Sequence, residues 1–270
     1  MTRHCELHDV RDGRGQLHVS PGQQPVFREL GIDAEGVFTH ELIVPWRTLA
    51  DRENCTLDAT LADGRRVRWH VKRYAPMRGR RSPAEQEVAG HRLLAERGVP
   101  TVDLVAWATL ADGRSLVVLD DLSGFDAADK MVERGLRFER LLDPAARLAA
   151  QLHDAGLHHR DLYLCHFFAR VSGSGVELRL IDAARVRPLP RFLAARWVVK
   201  DLAQFWYSTL PLPVTDTERL RWLAVYGAAR SIEADALRPK IQRKVKWIAR
   251  HDRQLRRRQP TRNISIPSGT

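Results

Sequence analysis

Cysteine is scarce in this chain. Cys5, Cys55 and Cys165 are the three it has in 270 residues, and no Cys-x-x-Cys pair occurs. An odd, scattered set argues against a disulfide framework and points to a reducing compartment. No apolar run approaches the roughly 20 residues of a membrane-spanning helix. The start, Met1-Thr2-Arg3-His4-Cys5-Glu6, lacks the apolar core of a secretion signal. The Gly-x-x-x-x-Gly-Lys phosphate loop is also missing. Acidic residues are in deficit: Lys and Arg number 44 against 33 Asp and Glu, for a net charge of +11. These absences point to a cytoplasmic protein, at most peripheral to a membrane. Its surface favours polyanions: phosphorylated glycans, anionic head groups, an acidic carrier protein or nucleic acid.

Hydrophobic residues make up 44% of the chain, enough for a sizeable core. Residues 1–25 are polar and aperiodic and read as a loose lead-in, and 259–270 as a flexible tail. The hexapeptide Thr-Leu-Ala-Asp-Gly-Arg occurs at 60–65 and again at 109–114. Each copy lies between alternating apolar positions: Leu57, Ala59, Leu61 then Val67, Trp69, Val71, and Leu104, Ala106, Ala108, Leu110 then Leu116, Val118. Asp-Gly in that setting predicts two hairpins. Between them Ser82-Pro83-x-Glu85 opens a capped helix that Gly98 ends. Downstream, Asp143-Pro144 starts a helix with Ala145, Leu148, Ala149 and Leu152 on one face. Phe167–Val171 and Val176–Leu180 form a short hairpin, and helices are expected over Trp197–Leu210 and Arg219–Arg230. The order predicts an α+β, two-lobed fold. A small antiparallel-sheet lobe with one helix spans 26–120, and a mainly helical lobe spans 121–258.

The most informative run is His159-Arg160-Asp161-Leu162-Tyr163-Leu164-Cys165-His166. It has the form of a protein-kinase catalytic loop, His-Arg-Asp followed by a metal ligand, with His166 where Asn is usual. Ile181-Asp182-Ala183 then stands where a kinase has its metal-binding Asp. Asp161 is the candidate that orients an acceptor hydroxyl, with Arg160 and Lys72 as further catalytic candidates. Asp182 and His166 are the candidate Mg²⁺ ligands. Imidazole suits Mg²⁺ poorly, so His166 either alters one metal site, touches a phosphate or orients Asp161. Lys72 ends an alternating strand and is placed to neutralise nucleotide phosphates. Glu87 is its candidate partner, because Glu85 is used in the helix cap. Arg185 is placed to pair with Asp182 or a phosphate. Asp201, in an otherwise apolar helix, is expected to hydrogen-bond the catalytic-loop backbone, and His159 to be structural. His153, His158, His159 and His166 cluster without the ligand spacing of a zinc site. No glycine-rich loop precedes Lys72.

Together these residues resemble the bacterial lipopolysaccharide kinase family, the core heptose kinases and their Kdo-kinase relatives. The resemblance covers about residues 40–255. It is carried by Val71-Lys72-Arg73-Tyr74, Glu87 ahead of Arg92-Leu93-Leu94 and Gly98-Val99, His159–Phe168, Ile181-Asp182 with Arg185, and Arg196–Ser208 with Lys200-Asp201-Leu202. His159–Phe168 is the specific part, since Tyr163, Cys165 and His166 together are unusual in ordinary protein kinases. The resemblance implies a compact protein-kinase-like fold and transfer of phosphate from ATP, with Mg²⁺, to a heptose or Kdo of the lipopolysaccharide inner core. It places that reaction at the cytoplasmic face of the inner membrane, where the basic residues of 238–258 would face lipid A phosphates. The residues alone leave two other classes open: a kinase-like enzyme with another small-molecule or protein hydroxyl as acceptor, and a non-catalytic kinase-fold scaffold on anionic surfaces. No RNA-binding module is visible.

Overall fold

A computed structural model describes residues 8–11, 15–77, 81–173 and 175–258. The expected tail at 259–270 and most of the expected lead-in before Gly15 lie outside these residues. The chain divides into two compact units, Met1–Arg92 with Val102–Asp121, and Leu93–Thr101 with Leu122–Thr270.

The first unit is built on a seven-stranded antiparallel sheet. Its elements are β1 (His8–Arg11), β2 (Gly15–Val19), α1 (Gln24–Glu29), α2 (Gly36–Thr39), β3 (Ile43–Thr48), β4 (Arg52–Thr60), β5 (Arg66–Tyr74), α3 (Pro83–Glu96), β6 (Leu104–Leu110) and β7 (Ser115–Asp120). The strand order is β1-β2-β6-β7-β5-β4-β3. Both Asp-Gly hairpins form, and with the same chemistry. Leu61 N–H donates to the Arg65 carbonyl and Leu110 N–H to the Arg114 carbonyl, each at 2.8 Å. Asp63 and Asp112 each accept the backbone N–H two residues on, at 2.9 Å. Gly64 and Gly113 take φ of 85° and 90°, which a side chain would strain.

Two features depart from the sequence-based expectation. Gly15–Val19 is not part of a loose lead-in. It is a strand paired with β6, with Leu17 and Val19 buried. The expected single helix is joined by α1 and α2, whose Val26, Phe27 and Val37 cover one face of the sheet. Phe27 stacks on Trp69 at 4.8 Å. Both helices are too short for a helical period to stand out. Strand β3 is an edge strand that tolerates Pro45 beside a register shift.

The second unit contains β8 (Asp126–Ala127), α4 (Ala128–Glu133), α5 (Glu139–Asp154), β9 (Leu157–His158), β10 (Phe167–Ser172), β11 (Gly175–Leu180), β12 (Arg187–Pro188), α6 (Ala194–Thr209), α7 (Asp216–Ala229) and α8 (Arg238–Arg258). The face Ala145, Leu148, Ala149, Leu152 is buried as expected. The helix begins earlier, however, at Glu139, and Pro144 lies inside it. Leu141 and Leu142 are fully buried, and burying two such side chains, at about 1.5–3 kcal/mol each, outweighs the missing proline N–H. Phe205, Trp222 and Tyr226 form an aromatic stack, with Phe205 and Trp222 parallel at 4.0 Å, and Phe167 meets Phe205 edge to face at 5.3 Å. Phe167 directly follows His166, so the stack anchors the end of the candidate catalytic loop. Among the described residues no helix is long and apolar enough to cross a membrane.

Gly227 on α7 makes a close contact that can be tested. A Cβ there would lie 2.6 Å from the Ala234 Cβ and 2.8 Å from the Ile232 carbonyl oxygen. Gly227→Ala is expected to cost about 1–3 kcal/mol by overpacking, lowering the thermal midpoint by roughly 2–4 °C per kcal/mol. Differential scanning fluorimetry checks it, and an unchanged midpoint would show that the turn after α7 yields freely.

Candidate active site

The sequence-predicted residues fall into two clusters, one in each unit. In the first unit, β5 lies between β7 and β4, and its side chains alternate between the two faces of the sheet. Trp69 and Val71 enter the core beneath α1 and α2. Arg73 on the same face is buried, and donates to the Val37 carbonyl at 2.7 Å and the Ile43 carbonyl at 3.1 Å. Lys72 and Tyr74 point the other way, to α3. Lys72 Nζ meets Glu87 Oε1 at 2.5 Å, and the Tyr74 hydroxyl donates to Glu87 Oε2. His91, one turn along α3, brings Nε2 to 3.7 Å from Glu87 Oε1. Glu87 is 0% exposed. A carboxylate so buried is tolerable only with charged and hydrogen-bonding partners, which here come from two elements. Glu85 is used as expected: its carboxylate accepts from Ser82 N–H, and its own N–H donates to the Ser82 hydroxyl. Asn54, the cross-strand neighbour of Lys72, is also buried. The connection between β3 and β4, Leu49-Ala50-Asp51, contains no glycine and closes through Leu49 N–H to the Arg52 carbonyl at 2.8 Å.

In the second unit one side of α6 templates the loop from His159 to Leu164. Asp201 Oδ2 accepts from His159 N–H at 2.7 Å and Oδ1 from Arg160 N–H at 2.9 Å. Lys200 Nζ donates to the Arg160 carbonyl at 2.6 Å. Gln204 Oε1 accepts from Leu162 N–H at 3.3 Å, and Ser208 Oγ from Leu164 N–H at 2.9 Å. Positions 200, 201, 204 and 208 recur at helical spacing, so one helix face supplies polar groups in step with the extended loop. Arg160 is held at φ 71°, a left-handed conformation unusual for a residue with a Cβ. Its guanidinium lies 4.7 Å over the Trp197 ring. Arg160, a candidate for the chemistry, thus contacts Asp201 and Lys200 through its backbone and Trp197 through its side chain.

Asp161 follows. Arg185 Nη1 donates to both of its carboxylate oxygens at 3.0 Å, and Gln204 Nε2 reaches Oδ1 at 3.4 Å. Arg185 therefore pairs with Asp161, a partner the sequence reading had not assigned to it. The left-handed turn at Asp182 (φ 59°) and the 3₁₀ turn Ala183–Arg185 return the arginine to the loop. Burial raises the Asp161 pKa, opposed by Arg185.

His166 Nδ1 donates to the Asp161 carbonyl at 2.6 Å, and its Nε2 is 3.7 Å from Asp182 Oδ2. Burial opposes its positive charge, but Cys165, the Asp182 carboxylate and the Asp161 carbonyl outweigh that and raise its pKa to about 10. His159 has the reverse fate. Burial and then the charge of His166 lower it to about 4, and its Nε2 bonds the Ile181 carbonyl at 3.1 Å. That bond ties the loop to the residue before Asp182. Burial and then Arg185 lower Lys200 to about 8.

The histidine cluster is resolved into separate roles. His153 bonds the Tyr226 hydroxyl at 2.8 Å and reaches Asp201 at 3.4 Å, while the His158 ring packs at a tilt against Trp197, 4.6 Å away. Among the described residues no three of His, Cys, Asp and Glu are grouped to hold a metal ion. Asp182 offers oxygen and is partly exposed. One carboxylate of this kind, completed by substrate phosphates and water, fits Mg²⁺, which seldom occupies an all-protein cage. His166 meets the Asp161 carbonyl through Nδ1, and its Nε2 lies 3.7 Å from Asp182.

Sequence reasoning missed Tyr74, His91, Lys200, Gln204 and Ser208 as members of these clusters. For Lys200, Gln204 and Ser208 a signal was available in part, as polar residues recurring at helical spacing beside buried apolar ones.

Residues 66–226 match the model of the lipopolysaccharide kinase (Kdo/WaaP) family. The chain is similar to a lipopolysaccharide core heptose(I) kinase WaaP of Pseudomonas aeruginosa, with 32% identity over 158 residues, 53% of this chain and 59% of that protein. It is also similar to proteins of the same name from Escherichia coli, at 33% identity over 93 residues (33% of this chain, 35% of the relative), and from Escherichia coli strain K12, at 31% over 99 residues (34% and 36%). The chain thus spans at most about three fifths of the length of these relatives.

The Asp201 network yields a prediction with a pH signature. Asp201 is 0% exposed. Burial disfavours its charge, but the hydrogen bonds and charges of His153 and His159 overcome that and hold its carboxyl below the usual aspartate range. A depressed carboxylate pKa adds stability that is present above about pH 4 and lost as pH falls through the folded value. Asp201→Asn should cost about 3 kcal/mol at pH 7, since it leaves loop N–H groups and His153 without their anion. The gap to wild type should narrow as pH drops below about 4. Urea melts across pH 3–7 test this, and a pH-independent gap would remove the electrostatic explanation.

Proposed function

The chain belongs to the lipopolysaccharide kinase (Kdo/WaaP) family, and on that premise we propose that it is an ATP-dependent phosphotransferase acting on a heptose or Kdo of the lipopolysaccharide inner core. The observation that carries this reading is the catalytic loop itself. Asp161 is fixed by Arg185 and Gln204 on a backbone that α6 holds at five points.

Each residue then has a role. Asp161 accepts and orients the acceptor hydroxyl. Because the transition state of phosphoryl transfer is loose, this is mainly positioning, which a doubly braced carboxylate does well. Lys72, held by Glu87, presents its ammonium to the nucleotide phosphates. Asp182 would hold Mg²⁺, which would supply neutralisation of the developing phosphate charge. His166, charged and beside Asp182, keeps the Asp161 carbonyl in place. Arg185 is half exposed and is the cation of the loop within reach of an anionic reactant. His159, Arg160 and Asp201 position the loop. The net charge of +11 supports phosphate-bearing partners: lipid A phosphates on the acceptor, an anionic inner-membrane surface and an acidic carrier protein. The site of action is the cytoplasmic side of the inner membrane.

Labelled-phosphate transfer from Mg-ATP to dephosphorylated core lipopolysaccharide tests the assignment. Asp161→Asn and Asp182→Asn should each lower transfer by at least about 10²-fold with unchanged circular dichroism. Wild-type protein without transfer, or variants that match it, would falsify the reading. Transfer to a different hydroxyl compound in acceptor profiling would keep the chemistry and change the substrate.

A further inference from the structure

We infer that the Pro190–Leu193 turn and the solvent face of α8 form one docking surface for an anionic phospholipid bilayer. Phe192 is 99% exposed and Leu193 49%, adjacent in a turn closed by Leu193 N–H to the Pro190 carbonyl at 3.1 Å. Trp247 on α8 is 55% exposed. Large apolar side chains at such exposure lose free energy in water and mark contact surfaces when they occur together.

The two segments belong to one patch. Helix α6 packs against α8. Arg196, in the first turn of α6, is close enough for its charge to act on Lys244 in the first half of α8. Near its other end α6 bonds α8 again, through the Tyr207 hydroxyl to Asp252 Oδ2 at 2.5 Å. The helices therefore run in the same general direction, and the Phe192–Leu193 turn leading into α6 sits beside the first half of α8.

The apolar side chains are set in positive charge. Helix α8 buries Ile241, Val245, Ile248 and Asp252 and exposes Lys240, Arg243, Lys246, Arg250 and Arg253. Its one acidic residue, Asp252, is buried and engaged by Tyr207 and Arg256. Lys244 Nζ lies 3.6 Å over the Trp247 ring, and Trp247 stacks on His251 at 5.4 Å. An amphipathic helix with a basic exposed face and interfacial aromatics is the form that lies on anionic lipid: head groups meet Lys and Arg while Trp and Phe enter the acyl boundary. Nucleic acid would use the charge equally, but the Phe192-Leu193 pair has no purpose against a phosphate backbone. The bilayer therefore fits better. The patch also borders the catalytic loop, because Trp197, one turn from Leu193, carries the Arg160 guanidinium on its ring. A docked protein would face its loop to a lipid-anchored acceptor. That last step rests on the kinase reading; the docking does not.

Vesicle co-sedimentation decides it. Wild-type protein should partition onto phosphatidylglycerol–phosphatidylcholine vesicles, far less onto phosphatidylcholine alone, and less at high salt. Phe192→Ala and Trp247→Ala, at exposed positions where folding is little affected, should each reduce partition several-fold. Lys240→Gln and Lys246→Gln should each reduce it about fivefold. Equal binding by wild type and the aromatic variants, or no binding to anionic vesicles, overturns the docking surface. Binding to poly(U) RNA in place of vesicles overturns it in favour of nucleic acid. A thermal shift with Mg-ATP, measured on the same proteins, reports the kinase reading separately. Its loss with vesicle binding intact leaves the docking standing alone.

Discussion

The arrangement of the second unit turns on one buried carboxylate. Asp201 accepts from two consecutive backbone N–H groups, those of His159 and Arg160. Consecutive N–H groups converge on one anion only if the chain between them turns sharply, and Arg160 does so by entering the left-handed region. That costs roughly 1–2 kcal/mol. Two charge-assisted bonds to Asp201 and a third from Lys200 offset it. Once Arg160 is fixed, the position of Asp161 follows. His159, fixed by the same anion, bonds the Ile181 carbonyl and so positions the residue before Asp182.

The charges inside and outside the protein are handled differently. Glu87, Arg73 and Asp201 are buried with partners drawn from separate elements, so each links pieces of chain that apolar contact alone would leave free to slide. Such pairs add little net stability, because desolvation cancels much of the attraction, but they penalise any wrong arrangement heavily. The surface excess of Lys and Arg is concentrated in part on α8, where self-repulsion is unfavourable unless a polyanion relieves it. That contrast separates residues that build the site from residues of the proposed docking surface.

Much of the fold was legible because its signals are local. The Asp-Gly turns, the Ser82 cap with Glu85 and the apolar face of α5 each depend on residues within one or two turns of each other, and each formed as read. The strand Gly15–Val19, the short helices α1 and α2 and the early start of α5 were not legible. Gly15–Val19 is a strand because β6 offers it an edge, and Pro144 is inside a helix because Leu141 and Leu142 have a core to enter. Tertiary burial overrode local preference in both.

The sequence by itself determined which chemistry is present. His159 to His166, Asp182, Lys72, Glu87 and Asp201 are residue types in an order that few other functions would require. Tertiary structure alone decided who meets whom. Arg185 took Asp161, His166 turned to the Asp161 carbonyl, and Lys200, Gln204 and Ser208 joined Asp201 beneath the loop. The reason is physical. A hydrogen bond between residues some forty positions apart, such as Asp201 with Arg160, leaves no periodic trace in the chain, since its geometry exists only after the intervening segments have packed.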